Sequence, residues 1–222
     1  MAPVSTSSSP RRLVVLTGST RGIGAALAGL IAPSATLILP VRTVAADSSP
    51  PSLQLDLDAG EASGVVVAKA AAPFRPGEIW FFDVAAVLPL GAVAGAGFAA
   101  ALRTAMQVNV AAPMAIAAAL LAHAREVEAR FVGIHLTSGA ANRPIAGWGA
   151  YGMSKAAAAL GWRTLAHEAP DAAVHIIDPG VVDTAMQQGL RRAGDPAAAP
   201  VERLATPHLA AARILEQAGW RA

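Results

Sequence analysis

One stretch constrains this chain more than any other: Leu13 to Gly24, LVVLTGSTRGIG. Leu13 to Leu16 are four apolar residues that read as a buried strand. Glycines come next at 18, 22 and 24, and then an alanine- and leucine-rich run, Ala25 to Ile31, that suits a helix. Glycine turns the chain where a side chain would clash. A backbone without side chains lets N–H groups approach an anion, and a helix N-terminus adds unpaired donors and partial positive charge. Strand, glycine turn and helix in this order form a dinucleotide-binding opening. A glycine cluster alone also serves an ordinary strand-to-helix turn, so residues further along the chain must decide between the two.

The rest of the chain alternates apolar runs with alanine-rich helical ones. Candidate strands are 13–16, 36–41, 53–56, 79–83, 131–137 and 174–178. Candidate helices are 22–32, 60–72, 97–123, 149–168 and 206–217. This alternation predicts an α/β fold: a Rossmann-like, doubly wound parallel sheet with helices on both faces, in three layers. Six strands are expected, or seven if a further one follows the last helix. At 222 residues, one domain over 13–222 is the simplest division, behind a flexible tail at 1–12. Thr43 to Ser52, with Ser48-Ser49-Pro50-Pro51, is too short and proline-rich for a full crossover helix. The stretch 185–205, with Pro196 and Pro200, reads as a mobile loop or short helices over a site.

Composition excludes several classes. A 54% hydrophobic and 14% charged chain is a packed globular protein. Net charge is +2 with no block of lysine or arginine, so nucleic acid is not an expected partner. The apolar runs Gly91–Leu102 and Val108–Ala122 carry many glycines or Asn109 and Pro113, so no membrane span is expected. The chain has no cysteine, which removes disulfides, thiolate catalysis and Cys-bound metal. Its five histidines show no metal-ligand spacing and read as surface or helix-end residues, so no metal is expected. The polar N-terminus lacks a signal-peptide core, and a cytoplasmic protein is expected.

Strand 131–137 runs into Thr137-Ser138. Further on comes YGMSK, with Tyr151 and, one helical turn later, Lys155. Positions i and i+4 share a helix face, so the Lys155 ammonium can sit beside the Tyr151 hydroxyl. A free tyrosine titrates near about 10, and a neighbouring cation lowers that value. Such a phenol can donate or accept a proton in a reaction. Ser138, at a strand's carboxyl end, can hydrogen-bond a carbonyl in the same crevice. A Tyr-x-x-x-Lys pair alone is common on helix surfaces; here it accompanies Ser138 and the glycine turn.

These residues together resemble the short-chain dehydrogenase/reductases. The matching positions are Thr17-Gly18-Ser19-Thr20-Arg21-Gly22-Ile23-Gly24, Asn109, Ser138, Tyr151, Lys155, and Pro179-Gly180 with Thr184. The likeness covers Leu13 to Met186. The segment DPGVVDTAMQQ (Asp178–Gln188) looks most like the sepiapterin reductase and benzil reductase branch of carbonyl reductases. The resemblance implies a catalytic set of Asn109, Ser138, Tyr151 and Lys155. In it, Asn109 holds a water linking Lys155 to solvent, Ser138 steadies the substrate oxygen, and Tyr151 protonates it during hydride transfer. It also implies a nicotinamide cofactor held by Gly18 to Gly24, Arg42, Thr43, Asp56, Leu57, Ala85, Tyr151, Lys155, Pro179, Gly180, Val182, Thr184 and Met186. Asp56 falls at the adenine and Thr184 at the carboxamide.

NADP(H) is expected over NAD(H). Family members that prefer NAD place an acid after the second strand; here Pro40-Val41-Arg42-Thr43 offers none before Asp47. Arg42, with Arg21, offers guanidinium forks that match a 2′-phosphate. The pocket candidates Leu88, Ala140, Ile145, Trp148, Val182 and Met186 are mostly apolar, with Arg143 near the mouth. They point to a small hydrophobic or aromatic carbonyl substrate. The family's Asn-Asn-Ala-Gly appears as Asp83-Val84-Ala85-Ala86. A buried Asp83 carboxylate needs a partner or a raised pKa. A homodimer through helices 97–123 and 149–168 is expected, with Ala156–Ala159 permitting close approach.

The reaction these residues suggest is reduction of a ketone or α-diketone with NADPH, or its reverse. A non-catalytic NADP-binding sensor or scaffold on the same fold is the alternative, and Asp83 is the feature that speaks for it. A cofactor-free lyase of the dehalogenase kind would place Arg at 155 and abandon the glycine turn; neither change occurs.

Overall fold

A computed structural model describes residues 12–44 and 52–221. The tail at 1–11 and the Ala45–Pro51 part of the short connection lie outside the described residues.

Six parallel strands form one sheet in the order β3-β2-β1-β4-β5-β6. They are β1 (Arg12–Leu16), β2 (Thr36–Val41), β3 (Ser52–Gln54), β4 (Glu78–Asp83), β5 (Arg130–Leu136) and β6 (Ala173–Ile177). Side chains alternate between the two faces of each strand, and each face is capped by helices. Leu13 and Val15 of β1, Phe81 of β4 and Phe131 of β5 share one core with α2 (Ala62–Ala71), α4 (Ala112–Glu126) and α5 (Gly149–Glu168). Val14, Leu16, Trp80, Phe82 and Ile134 share the other with α1 (Gly22–Ile31) and α7 (Pro207–Gln217). The long apolar strands result from burial on both faces.

Most expected elements stand within a residue or two of their predicted bounds. Arg12 belongs to β1 and not to a tail. Its Nε donates to Glu78 Oε2 at 2.9 Å, and its guanidinium lies 4.6 Å from the Trp220 ring centroid. β3 is shorter than predicted because Asp56 leaves the sheet to cap a single turn, Leu57–Ala59. The predicted helix 97–123 is a longer run, Phe98–Glu126: α3 (Phe98–Met106), a π-turn at Gln107–Ala111, then α4. Pro113 accounts for the π-turn. It has no N–H for the Asn109 carbonyl, and its ring crowds that carbonyl. The ladder widens there, so that Ala112 N–H reaches the Gln107 carbonyl. This run is long and apolar enough to cross a membrane. Its α4 portion, however, buries Ile116, Ala117, Leu120, Leu121 and Ala124 in the core.

Of the two readings of 185–205, short helices prevail. α6 (Ala185–Arg192) and a single turn at Val201–Arg203 lie in it, joined by an irregular stretch over 193–200. Asp183 N–H donates to the Ala205 carbonyl at 2.9 Å, which closes the excursion at its base. Among the described residues no strand follows α7, so β6 is a sheet edge. Trp220, beyond α7, packs edge-on against Trp80 at 4.9 Å.

Candidate active site

The cleft opens at the carboxyl ends of β1, β4, β5 and β6, where the chain order reverses across β1. That is where open parallel sheets take ligands. It encloses about 700 Å³.

Its floor is the glycine turn. Gly18 has φ +72°, and a Cβ there would lie 2.9 Å from the Ala85 nitrogen. A Cβ on Gly24 would lie 2.1 Å from the Gly18 carbonyl oxygen. Gly18 requires glycine because of its positive φ and the loop after β4 lying against it, and Gly24 because the start of α1 sits directly on the turn. Thr17 ties the turn to the strand beside it: its Oγ1 accepts from Val84 N–H at 3.1 Å and Ala85 N–H at 3.2 Å. Of the positions expected to hold the cofactor, Gly18 to Gly24, Arg42, Asp56, Leu57, Ala85, Pro179, Gly180, Val182, Thr184 and Met186 line the cleft. Thr43 does not. Arg21 and Arg42 are exposed at its rim. Asp56 also caps its own turn, accepting from Asp58 N–H at 3.1 Å. Thr184 precedes α6 without a capping bond from its hydroxyl, which leaves that oxygen free for a ligand. A backbone cradle that a Cβ would fill, a helix N-terminus and two rim guanidinium groups fit a dinucleotide with an extra phosphate.

Above the floor stand Ser138, Tyr151 and Lys155, all lining the cleft. β5 delivers Ser138 and α5 delivers the other two. Gly133 lets α5 approach: a Cβ there would meet Trp162 at 2.4 Å. Lys155 is buried, and its Nζ donates to the Leu136 carbonyl at 2.7 Å. Burial lowers the Lys155 pKa, and the Asp83 carboxylate opposes that shift. Tyr151 departs from the sequence expectation: its pKa is raised, not lowered. Burial is the main cause; hydrogen bonding from Ser138 opposes it, and Asp178 adds to the rise. The Lys155 ammonium docks on the Leu136 carbonyl, so desolvation governs the phenol.

Asn109 is buried behind the cleft. It lies outside the cleft lining, in the π-turn. Its Oδ1 accepts from Val87 N–H at 2.8 Å, and its Nδ2 donates to the Val87 carbonyl and Ser154 Oγ, both at 2.9 Å. The side-chain amide clasps the loop after β4 to α5, with both its N–H donors engaged by protein, while Pro113 leaves the Asn109 main-chain carbonyl without a helical partner.

Leu88, Trp148, Val182 and Met186 line the substrate end. Ala140 and Ile145 do not; they pack behind Trp148 and Tyr151. Arg143 is not in the lining either, and its guanidinium lies beside Gly139. Leu190 of α6 joins this cluster and lines the cleft, which the sequence reading missed. Its signal was a leucine isolated among Gln187, Gln188, Arg191 and Arg192. Trp148 Nε1 donates to Asp195 Oδ2 at 3.0 Å, joining the pocket wall to the segment after α6.

His135 was missed as well. It is fully buried, and its Nδ1 lies 2.7 Å from Asp83 Oδ2. His123 is buried too, with Nε2 at 3.1 Å from the Phe74 carbonyl. Neither lies at the surface, although His123 does stand in the last turn of α4, a helix-end position as expected. The partner that a buried Asp83 required is thus a histidine on the next strand.

A cradled dinucleotide cleft beneath a buried Tyr–Lys pair defines an α/β oxidoreductase. The short chain dehydrogenase family model matches residues 12–195, and the chain belongs to that family. An uncharacterized oxidoreductase of Schizosaccharomyces pombe is 27% identical over 187 residues, covering 81% of this chain and 74% of that protein. Benzil reductase ((S)-benzoin forming) of Bacillus cereus is 33% identical over 92 residues, 40% of this chain and 37% of that one. The crystal structure of the KRED1-Pglu enzyme superposes with a TM-score of 0.77 at 24% identity, covering 95% and 96% of the two chains. A short chain dehydrogenase from Burkholderia cenocepacia, solved in complex with NADP, gives 0.73 at 20% identity, over 96% and 85%. These two structures speak for the fold.

Proposed function

We propose that the protein is an NADPH-dependent carbonyl reductase that converts a ketone or α-diketone to an alcohol, or runs the reverse reaction. One observation carries the reading: Tyr151 and Lys155 are buried side by side in the wall of the dinucleotide cleft, next to Ser138. When bound, NADPH supplies the hydride. The turn Gly18–Gly24 and the α1 N-terminus hold its pyrophosphate, and Arg42 with Arg21 holds the 2′-phosphate. Asp56 and Leu57 border the adenine, while Pro179, Gly180, Val182, Thr184 and Met186 border the nicotinamide. Ser138 donates to the substrate carbonyl oxygen and Tyr151 Oη gives that oxygen its proton. The raised pKa keeps the phenol in its protonated form at neutral pH, the form that a proton donor needs. Lys155 holds the nicotinamide ribose.

The apolar wall of Leu88, Trp148, Met186 and Leu190 favours a hydrophobic or aromatic carbonyl compound. The Bacillus relative, named for benzil reduction, supports an aromatic diketone, and the NADP-bound Burkholderia neighbour supports the cofactor. Dependence on NADPH fits a cytoplasmic location. The sensor reading loses its motive, since Asp83 is satisfied by His135. The test is NADPH consumption over a panel of ketones, α-diketones and pterins. Turnover of an aromatic ketone or diketone is expected; NADPH binding without turnover of any panel member would overturn the reading.

A further inference from the structure

The face of the sheet beneath α5 holds a polar pair that the proposed reaction does not use. Asp83 ends β4 and His135 lies opposite it on β5, in register. Both are buried, with Nδ1 to Oδ2 at 2.7 Å. The ring is stacked on Trp162, centroids 6.0 Å apart and 19° from parallel, and Trp162 lies two turns beyond Lys155 on α5. The residue after His135 is Leu136, whose carbonyl accepts the Lys155 ammonium. Carboxylate, imidazole and ammonium therefore share one buried layer between β4, β5 and α5, with Lys155 at its cleft side.

The hydrogen bonds decide how charge is distributed there. His135 Nε2 is buried and has no hydrogen-bond partner among the described residues. An imidazolium would leave a charged N–H unpaired at that atom, at a larger cost than a bare lone pair. The ring is thus neutral, with its proton on Nδ1 donated to Asp83. The pair keeps one negative charge. The ammonium of Lys155 is the cation in the same layer. Tyr151 stands one turn before Lys155 on α5, and Asp178 after β6 acts on that phenol; α4 and the π-turn contribute Asn109 and apolar residues.

We propose that Asp83 and His135 form a buried charge-holding pair that keeps Lys155 an ammonium and fixes it against β5. His135 is the positioning residue: its Nδ1–H locks the carboxylate, and Trp162 locks the ring. Asp83 supplies the counter-charge. This deepens the reductase reading, in which Lys155 must stay charged beside the phenol and the ribose.

The test reads the lysine directly. The chain contains two lysines, Lys69 and Lys155, so lysine side-chain carbon labelling gives two signals, and Lys69→Arg assigns them. Their NMR titrations are followed in the protein without substrate or cofactor. Asp83→Asn removes the counter-charge and should lower the Lys155 midpoint by about one pH unit or more, the usual effect of losing a close opposite charge. His135→Gln still offers an N–H to the carboxylate and should restore most of the wild-type midpoint. Should Asp83→Asn not fold, the double change Asp83→Leu/His135→Leu replaces both members with apolar residues and leaves no orphan. It should show the same fall. A Lys155 midpoint unmoved in Asp83→Asn, or in the double variant where only that one folds, would overturn the assignment. Because no turnover enters the readout, a shifted midpoint stands even if the ketone panel fails, and an unmoved one leaves the panel result intact.

Discussion

Tyr151 is a phenol whose surroundings favour its neutral form. Burial raises its pKa, against a smaller pull from Ser138. A donor of protons must be protonated, so carbonyl reduction should hold level through neutral pH. It should fall only as pH rises past the ordinary phenol range, about 10. A fall in kcat/KM already complete at neutral pH would contradict this. Arg42 carries the cofactor choice. Losing a charged hydrogen bond costs about 1.5–3 kcal/mol, so Arg42→Ala should raise the KM for NADPH roughly tenfold to a hundredfold. The KM for NADH should barely move; equal effects on both cofactors would show that Arg42 does not meet the 2′-phosphate. The glycines, Ser138, Tyr151 and Lys155 were legible because each sits within a local motif whose spacing carries its geometry. Asp83 was legible as a problem and His135 not as its solution. Their meeting depends on the β4–β5 register, which no local pattern displays.

α5 is the element on which the site depends, and its seat is Gly133. Its missing side chain admits the Trp162 ring, which also stacks on His135. Gly133→Ala should cost about 1–3 kcal/mol through overpacking, seen as a lower urea midpoint with an unchanged slope. An unchanged midpoint would mean that α5 can lift off the sheet freely. The elements themselves were legible from period and composition, since buried strands and alanine-rich helices leave strong patterns. Two details were not. The π-turn arises from a conflict between Pro113 and the Asn109 carbonyl that periodicity averages away. Leu190 shows its partners only once α6 folds over Trp148 and Tyr151.

The whole molecule is one parallel sheet with two helical layers, and it leaves surfaces that a partner could cover. We propose a homodimer through the outer face of α5. The expected contact through Ala156–Ala159 needs correction: Ala158 and Ala159 are buried against their own chain. Met153, Ala156 and Leu160 face outward instead, with Leu160 59% exposed. Light scattering should give twice the chain mass, and Leu160→Glu should shift it toward the monomer. A wild-type monomer would contradict the proposal. Such assembly is hard to read from sequence because the same small residues serve the core and an interface alike.

The central claim is that Tyr151 supplies the proton while the glycine turn holds the cofactor. Its most direct test compares wild type with Tyr151→Phe on the best ketone of the panel, together with NADPH affinity. Turnover should fall by about 10²–10⁴ with the Kd for NADPH unchanged. Turnover within a few-fold of wild type in the Phe variant would contradict the account.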